Sequence, residues 1–139
     1  MKIINEKISL NTKGNPDLLD ITADIKRILD STNLKRGSVT VFAVGSTAAI
    51  TTFEYEPGLL QDMQDIYEKL VPRRKGYYHD DTWGDANGFS HLRAALQGPS
   101  LTIPFDEGKL LLGTWQQVVL AEFDNRPRKR QVLIQIIGE

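Results

Sequence analysis

The chain has 139 residues, a formal net charge of −1 and no cysteine. A chain of this length buries enough surface for one core, and its ordinary composition argues against disorder. The absence of cysteine excludes a disulfide scaffold and a cysteine nucleophile, so that a metal would need nitrogen and oxygen ligands. The near-neutral charge argues against nucleic-acid binding, and no apolar run reaches the roughly 20 residues that span a membrane. The N-terminus lacks the features of a signal peptide, so we expect a cytoplasmic protein.

The first third of the chain predicts a strand, a helix and two more strands. Polar and apolar residues alternate around Ile8, which indicates a strand. Residues 14–37 predict a helix with Pro16 in its first turn, because apolar residues recur there every three or four positions. These apolar residues are Leu18, Ile21, Ile25 and Ile28. Residues 38–44 and 48–56 are rich in β-branched side chains and predict strands.

Two further helices are predicted in the middle of the chain. Residues 56–72 have helical apolar spacing, and Pro57 suits the first turn. Residues 90–98 predict a short helix with Ser90 as its N-cap and a glycine at its end. The polar segment between these two helices predicts a loop.

The C-terminal third predicts strands at residues 100–105, 109–123 and 130–137, with turns between them. Helices among hairpin-connected strands indicate an α+β fold, with a mostly antiparallel sheet, two longer helices and one short helix. Residues 110–113 and 132–137 are apolar on both faces. Such strands lie inside a sheet or are covered by another subunit.

Both histidines of the chain lie at the ends of one polar segment, His79 and His91. Their spacing differs from the i, i+4 pair that binds zinc on a helix. Histidines are more often structural than ligating, and a zinc site needs a third ligand. Carboxylates available in the sequence are Asp80, Asp81, Asp85 and Glu54. The segment therefore predicts either a solvated loop or a metal or catalytic site.

Asp85 and Asn87 lie between glycines in the same segment, in a pattern typical of a tight turn. The turn is either a plain Asx turn or a loop around a ligand with Trp83 as its apolar wall. Glu54 follows a predicted strand, where a carboxylate can act as a general base. Alternatively, Glu54 or Glu56 favours the start of the next helix through the helix dipole.

The C-terminal third adds two more candidate groups. Arg126, Arg128 and Arg130 alternate along the chain and project on one side if the strand begins nearby. They are either a solvated basic turn or a phosphate site, since guanidinium groups bind phosphate in a fork. A glycine interrupts the apolar run before Trp115 and Gln116, which marks a ligand platform or a subunit interface.

Four segments follow one another in a long and specific order. They are GSTAAITTFEYEPG, LVP, WGDANGFSHLRAALQGPSLTIPF and GKLLLGTWQQVVLAEFDNRPRKR. This series, within residues 39–139, resembles the uncharacterised UPF0047 (YjbQ) family. The resemblance implies one YjbQ-like domain over residues 1–139, a compact α+β fold and a homotrimer. It also implies a secondary thiamine-phosphate synthase activity, in which a pyrimidine diphosphate is coupled to a thiazole phosphate and pyrophosphate is released.

The resemblance further implies a divalent metal, zinc or magnesium, bound through histidines. His79 and His91 fall on two histidine positions of the family pattern. This chain has Gly45 where many members have a histidine, and Phe89 where members with the GST variant have one. A metal would therefore keep two imidazole ligands and recruit carboxylate or water. The other residues on motif positions are Glu54, Asp85, Asn87, Trp115, Gln116 and Arg130.

These observations favour an enzyme that acts on a small phosphorylated molecule, with no nucleic-acid or membrane partner. Its candidate residues are His79, His91, Glu54 and Asp85 for catalysis, His79 and His91 for the metal, and Asn87, Trp115, Gln116, Arg128 and Arg130 for substrate binding. The first alternative is a metal-dependent hydrolase of a small phosphorylated or acyl compound. The second is a non-catalytic trimeric protein that binds a small anion or metabolite.

Overall fold

A computed structural model describes residues 1–14 and 16–139, which form eight strands and four helices. The strands are β1 (Lys2–Asn11), β2 (Asp17–Asp20), β3 (Gly37–Val44), β4 (Ala48–Phe53), β5 (Ser100–Asp106), β6 (Lys109–Leu110), β7 (Gln117–Glu122) and β8 (Lys129–Gly138). The helices are α1 (Thr22–Thr32), α2 (Pro57–Leu70), α3 (Tyr78–Trp83) and α4 (Gly88–Gln97). No helix in the described part of the chain is long and apolar enough to cross a membrane.

The strands form two sheets in which neighbouring strands are antiparallel. The larger sheet has the order β1-β8-β3-β5-β6, and the smaller has the order β2-β7-β4. One apolar cluster lies between the sheets and includes the buried face of α1, whereas a second lies between the smaller sheet and helices α2 and α4. The smaller sheet is therefore buried on both faces. This architecture confirms the α+β prediction.

Burial along β8 alternates strictly, as a strand with a period of two requires. Val132, Ile134 and Ile136 face the core, whereas Leu133 and Ile137 lie on the outer face and are partly exposed. β8 is interior in strand order, as predicted, but this chain covers only one of its faces. Residues 110–113 were predicted to be a similar strand, and this prediction is wrong because β6 ends at Leu110.

The helix predicted over residues 14–37 is too long, and its first part includes Asn15, which lies outside the described residues. Residues 17–20 form β2, whose backbone pairs with β7 in the buried sheet. Asp20 then accepts hydrogen bonds from the backbone and the hydroxyl of Thr22, at 3.0 and 2.7 Å, and the chain turns into α1. Pro16 therefore precedes a strand, since pairing with β7 outweighs the helical spacing of the apolar residues.

The strand predicted over residues 109–123 is two strands in different sheets. Gln116 closes the intervening turn, because its backbone N–H donates to the Gly113 carbonyl at 3.0 Å and its side-chain oxygen accepts from the Gly113 N–H at 3.1 Å. β7 and β8 also belong to different sheets, so the turn between them is not a hairpin. Apolar composition alone did not show these breaks.

The polar segment predicted as a loop contains α3, a helix without any buried residue. Apolar spacing could not reveal it because no apolar face is present. The next helix, α4, begins at Gly88 with Asn87 at its N-cap position, and Gly98 follows its end as predicted. Ser90 is therefore not the cap, and it is fully buried inside the first turn.

Helix α2 begins at Pro57 as predicted, and Glu56 is its cap. The Glu56 carboxylate accepts hydrogen bonds from the backbone N–H groups of Gly58, at 2.9 Å, and Leu59. We expect Glu56→Ala to lower the free energy of unfolding by about 1 kcal/mol, as is typical of a lost N-cap side chain. Urea denaturation measures this change. Glu54→Ala is the matched control, and an equal loss in both variants would contradict the capping role.

Candidate functional site

A polar cleft of about 420 Å³ opens where the β3–β4 turn, the α3–α4 connection and the start of β8 meet. Its lining residues are Gly45, Ser46, Thr47, His79, Trp83, Asp85, Asn87, His91, Arg128 and Arg130. Six of the nine residues predicted for the site are in this list. They come from two distant parts of the sequence, and folding brings them together within one chain. We call this space the histidine cleft.

The two imidazole rings face each other in the cleft, with centroids 4.2 Å apart and planes inclined by 50°. His79 lies in the first turn of α3, and His91 lies in the first turn of α4. Gly84 ends α3 in the left-handed conformation, with a φ of 71°, and allows the chain to return. Local turn geometry therefore brings together two histidines twelve positions apart.

The environment of His91 favours its neutral form. Burial lowers the pKa of His91, and the neighbouring His79 lowers it further, while Asp124 and Asp85 act in the opposite direction. The net pKa lies below the usual 6.5, so the ring is neutral at pH 7. A neutral imidazole can accept a proton, which makes His91 the better general base of the pair.

His79 is oriented by the loop that follows α3. Its Nε2 lies 3.1 Å from the side-chain oxygen of Asn87 and 3.8 Å from a carboxylate oxygen of Asp85. The amide nitrogen of buried Asn87 donates to Asp124 at 3.5 Å, which leaves the amide oxygen toward His79. Nε2 of His79 is therefore the protonated nitrogen in this arrangement.

Two fully buried carboxylates, Glu122 and Asp124, lie under the floor of the cleft. Arg130 donates two hydrogen bonds of 2.6 Å to the two oxygens of Glu122. Arg128 contacts one oxygen of Asp124 through Nε, at 2.7 Å, and Nη2, at 2.6 Å. The arginines predicted to bind phosphate thus direct much of their hydrogen-bonding capacity to protein carboxylates.

Hydroxyl groups connect the two buried ion pairs. Thr47 accepts from Arg130 at 2.6 Å and donates to Asp124 at 3.1 Å, while Thr12 donates to Glu122 at 2.8 Å. Burial by itself would raise the pKa of Asp124, but hydrogen bonds from Arg128, the Asn125 N–H and Thr47 outweigh it. The pKa is consequently lowered, and Asp124 is ionised at neutral pH.

Sequence reasoning missed both buried acids, although the pattern contains a signal. Glu122 and Asp124 alternate at the end of β7, and Arg128 and Arg130 alternate on the other side of the short turn. Two acids and two bases at spacing two can pair across a turn. Thr12 also donates to Glu122, but it lies 110 positions away in the sequence, so no local pattern indicates this contact.

The two positions where the family pattern often has histidine supply no metal ligand here. Gly45 has a φ of +142°, and a Cβ added there would lie 2.6 Å from Nη1 of Arg130. Glycine therefore leaves room for this guanidinium at the cleft wall. Phe89 is only 1% exposed, and the guanidinium groups of Arg73 and Arg93 lie 5.4 and 5.1 Å from the centroid of its ring.

Within residues 1–14 and 16–139, no three histidine, aspartate or glutamate side chains are arranged to hold a metal ion. A catalytic zinc site uses three protein ligands, so the present donor set does not fit one. The prediction of a zinc or magnesium ion on His79 and His91 stays a prediction. Elemental analysis of the purified protein, with His79→Ala as the control, tests it.

Glu54, Trp115 and Gln116 lie away from the histidine cleft. Along the β4–β7 ladder, Ala48 pairs with Glu122 at the cleft end, and the pairing continues for five more residues, or about 17 Å. Gln116, just beyond the far end, donates to Thr52 at 3.2 Å, and Trp115 is 68% exposed. The aromatic residue that lines the cleft is instead Trp83, which is 77% exposed.

Fold and site together define a small α+β protein with a polar, histidine-lined cleft. The family model described as "UPF0047 protein YjbQ-like" matches residues 6–139, and the chain belongs to this family. The predicted resemblance is thereby confirmed. Its relatives carry the family name without an activity.

A UPF0047 protein from Archaeoglobus fulgidus is 40% identical over 131 residues, which cover 94% of this chain and 99% of the relative. A UPF0047 protein from Methanothermobacter thermautotrophicus is 37% identical and covers 100% of this chain and 95% of its own length. The crystal structure of a YbjQ-like protein of unknown function from Sulfolobus solfataricus P2 matches with a TM-score of 0.92 and 31% identity, over 99% of both chains.

Proposed function

We propose that the histidine cleft is the catalytic site of an enzyme that acts on a small phosphorylated molecule. The observation that carries the proposal is the pair of imidazoles 4.2 Å apart in a cleft that Arg128 and Arg130 also line. Neutral His91 can accept a proton, and the Nε2–H of His79 can donate one. Each guanidinium group is paired with a buried carboxylate, and its remaining N–H donors would bind the anionic oxygens of the ligand.

The specific reaction that we propose is formation of thiamine phosphate. The bond between the pyrimidine methylene carbon and the diphosphate oxygen breaks, and its electron pair leaves with pyrophosphate. The lone pair of the thiazole nitrogen forms the new carbon–nitrogen bond. Arg128 and Arg130 would stabilise the charge of the leaving pyrophosphate, and the exposed ring of Trp83 would stack on a heterocycle.

Hydrolysis of a phosphorylated or acyl compound is the second candidate. The lowered pKa of His91 favours it, because a neutral imidazole at pH 7 can take a proton from an attacking water. The two candidates share the same binding cleft and differ in the nucleophile. They are distinguished by the products.

We also propose that the protein is a homotrimer. Phe42, Val44, Leu133 and Ile137 lie on β3 and β8 of the larger sheet, and each is 36–45% exposed. Another copy packed against this face would bury these apolar side chains. Glu54, Trp115 and Gln116 would join a histidine cleft only from a neighbouring copy. Analytical ultracentrifugation measures the assembly, and a monomeric protein at micromolar concentration would contradict it.

The experiment incubates purified protein with the pyrimidine diphosphate, the thiazole phosphate and magnesium. We expect thiamine phosphate and pyrophosphate in equal amounts. Release of inorganic phosphate or a free acid from single substrates, without thiamine phosphate, would favour hydrolysis. No turnover in either assay, under conditions in which an authentic synthase is active, would contradict the catalytic proposal.

A further inference from the structure

A second, basic cleft of about 250 Å³ lies next to the histidine cleft. It is lined by Arg73, Arg74, Lys75, Ala86, Phe89 and Asn125. The two clefts share residues 85–87 as a wall, because Asp85 and Asn87 line the histidine cleft and Ala86 lines the basic one. A ligand that passes over this wall could contact both clefts.

The shared wall is held in place by its own contacts. Ala86 has a φ of 54°, in the left-handed region, and its neighbours Asp85 and Asn87 both line the histidine cleft. The side-chain amide of Asn125 donates to the Asp85 carbonyl at 2.8 Å, and buried Asn87 contacts His79 at 3.1 Å. The position of the basic cleft relative to the histidines is therefore set by hydrogen bonds.

The three basic side chains have no carboxylate partner among the described residues. Within residues 1–14 and 16–139, no ion pair involves the side chains of Arg73, Arg74 or Lys75. The nearby carboxylate of Glu68 is engaged by Arg93, at 2.8 Å, and by the backbone N–H of Arg73, at 3.1 Å. Three adjacent positive charges without neutralising carboxylates favour an anionic ligand.

Aromatic rings orient the two arginines of the cleft. The guanidinium of Arg73 lies 5.4 Å from the centroid of the Phe89 ring, and that of Arg74 lies 4.2 Å from the ring of Tyr77. Phe89 is itself buried in the core. Stacking on a ring positions a guanidinium without using its hydrogen-bond donors. Arg74 donates from Nη1 to the Lys75 carbonyl at 3.2 Å, and its other donors stay available for oxyanions.

We propose that the basic cleft binds a phosphate group of the ligand whose other part occupies the histidine cleft. The inference deepens the proposed function and rests on it in assigning a phosphorylated ligand to the site. The ligand would carry one anionic group at Arg73, Arg74 and Lys75 and its reacting atoms near the two imidazoles. Phe89 would contribute by orienting Arg73.

The test uses inorganic pyrophosphate as the probe in 0.15 M salt, which limits the effect of distant charges. The titration is followed by isothermal titration calorimetry and by NMR, through the backbone amide signals of residues 73–75 and 86. We expect these signals to shift, and the dissociation constant to rise at least tenfold in the variant Arg73→Gln/Arg74→Gln/Lys75→Gln. These residues are exposed, so the variant is expected to fold.

The matched control is Lys26→Gln/Lys35→Gln/Lys109→Gln, which removes the same charge at exposed positions outside both clefts. We expect the dissociation constant of this control to stay within twofold of the unmodified protein. Equal weakening in both variants, or unshifted signals at residues 73–75, would overturn the basic cleft as a binding site.

The histidine ring signals separate this inference from the proposed function. Shifts at residues 73–75, together with unchanged ring signals of His79 and His91 and no turnover, would support an anion site but contradict the proposed function. Turnover and ring shifts that are unchanged in the Arg73→Gln/Arg74→Gln/Lys75→Gln variant would contradict the basic cleft alone.

Discussion

We expect Glu122→Ala to lower the free energy of unfolding by about 3–5 kcal/mol, the range for removal of one partner from a buried ion pair. Glu122 is fully buried and accepts hydrogen bonds from Arg130, Thr12 and the backbone N–H of Asp124. Its removal leaves a buried guanidinium without a counter-charge. Urea denaturation at pH 7, followed by circular dichroism, measures the difference.

Two control variants separate the effect of the lost charge from the effect of the lost packing. Glu6→Ala removes an exposed carboxylate and is expected to change the free energy of unfolding by less than about 0.5 kcal/mol. Glu122→Leu combined with Arg130→Met removes both charges, and we expect it to be more stable than Glu122→Ala. A Glu122→Ala protein that stays within about 1 kcal/mol of the unmodified chain would contradict the role of this ion pair.

For hydrolysis, in which the attacking water must lose a proton, we expect His91→Ala to reduce turnover about 10²–10⁴-fold, the contribution typical of a general acid or base. The half-buried ring of His91 lines the cleft and lies 4.2 Å from that of His79. Because its pKa is lowered below 6.5, we expect kcat/KM to stay constant near pH 7 and to fall only at a lower pH, as His91 becomes protonated. Steady-state rates between pH 5 and 8 measure both effects.

The controls for His91 use the two tryptophans. Trp83→Ala removes a side chain that lines the cleft, and we expect it to raise KM. Trp115→Ala changes a tryptophan outside the cleft of its own chain, and a rise in KM there would indicate a site shared between copies. His91→Ala with an unchanged rate and an unchanged pH profile would contradict the catalytic role of the imidazole.

The local spacing of apolar and β-branched residues was sufficient to predict several helices and strands. The alternation of β-branched residues predicted β3, and the apolar stripe with Pro57 predicted α2 and its start. It failed where tertiary pairing competed with local preference. β2 has helical spacing but is a strand, because β7 supplies the backbone hydrogen bonds in the buried sheet.

The sequence likewise predicted only part of the candidate site. His79, Asp85, Asn87 and His91 lie in one short segment, so their proximity could be anticipated from the sequence, and the motif series identified the family. Trp115 also stood out in the sequence, yet it lies beyond the far end of the β4–β7 ladder. A motif position indicates that a residue matters without indicating which side chains surround it.

The sequence by itself determined the family, the α+β class and the two histidines with their polar loop, because these depend on residue type and short spacing. Only the tertiary structure decided that Arg130 is bound by buried Glu122 and that Phe89 contacts two guanidinium groups. The same holds for Thr12, which reaches Glu122 across 110 positions. Such contacts depend on how the sheets and helices pack, and burial gives them their energy, because a charge removed from water requires a partner.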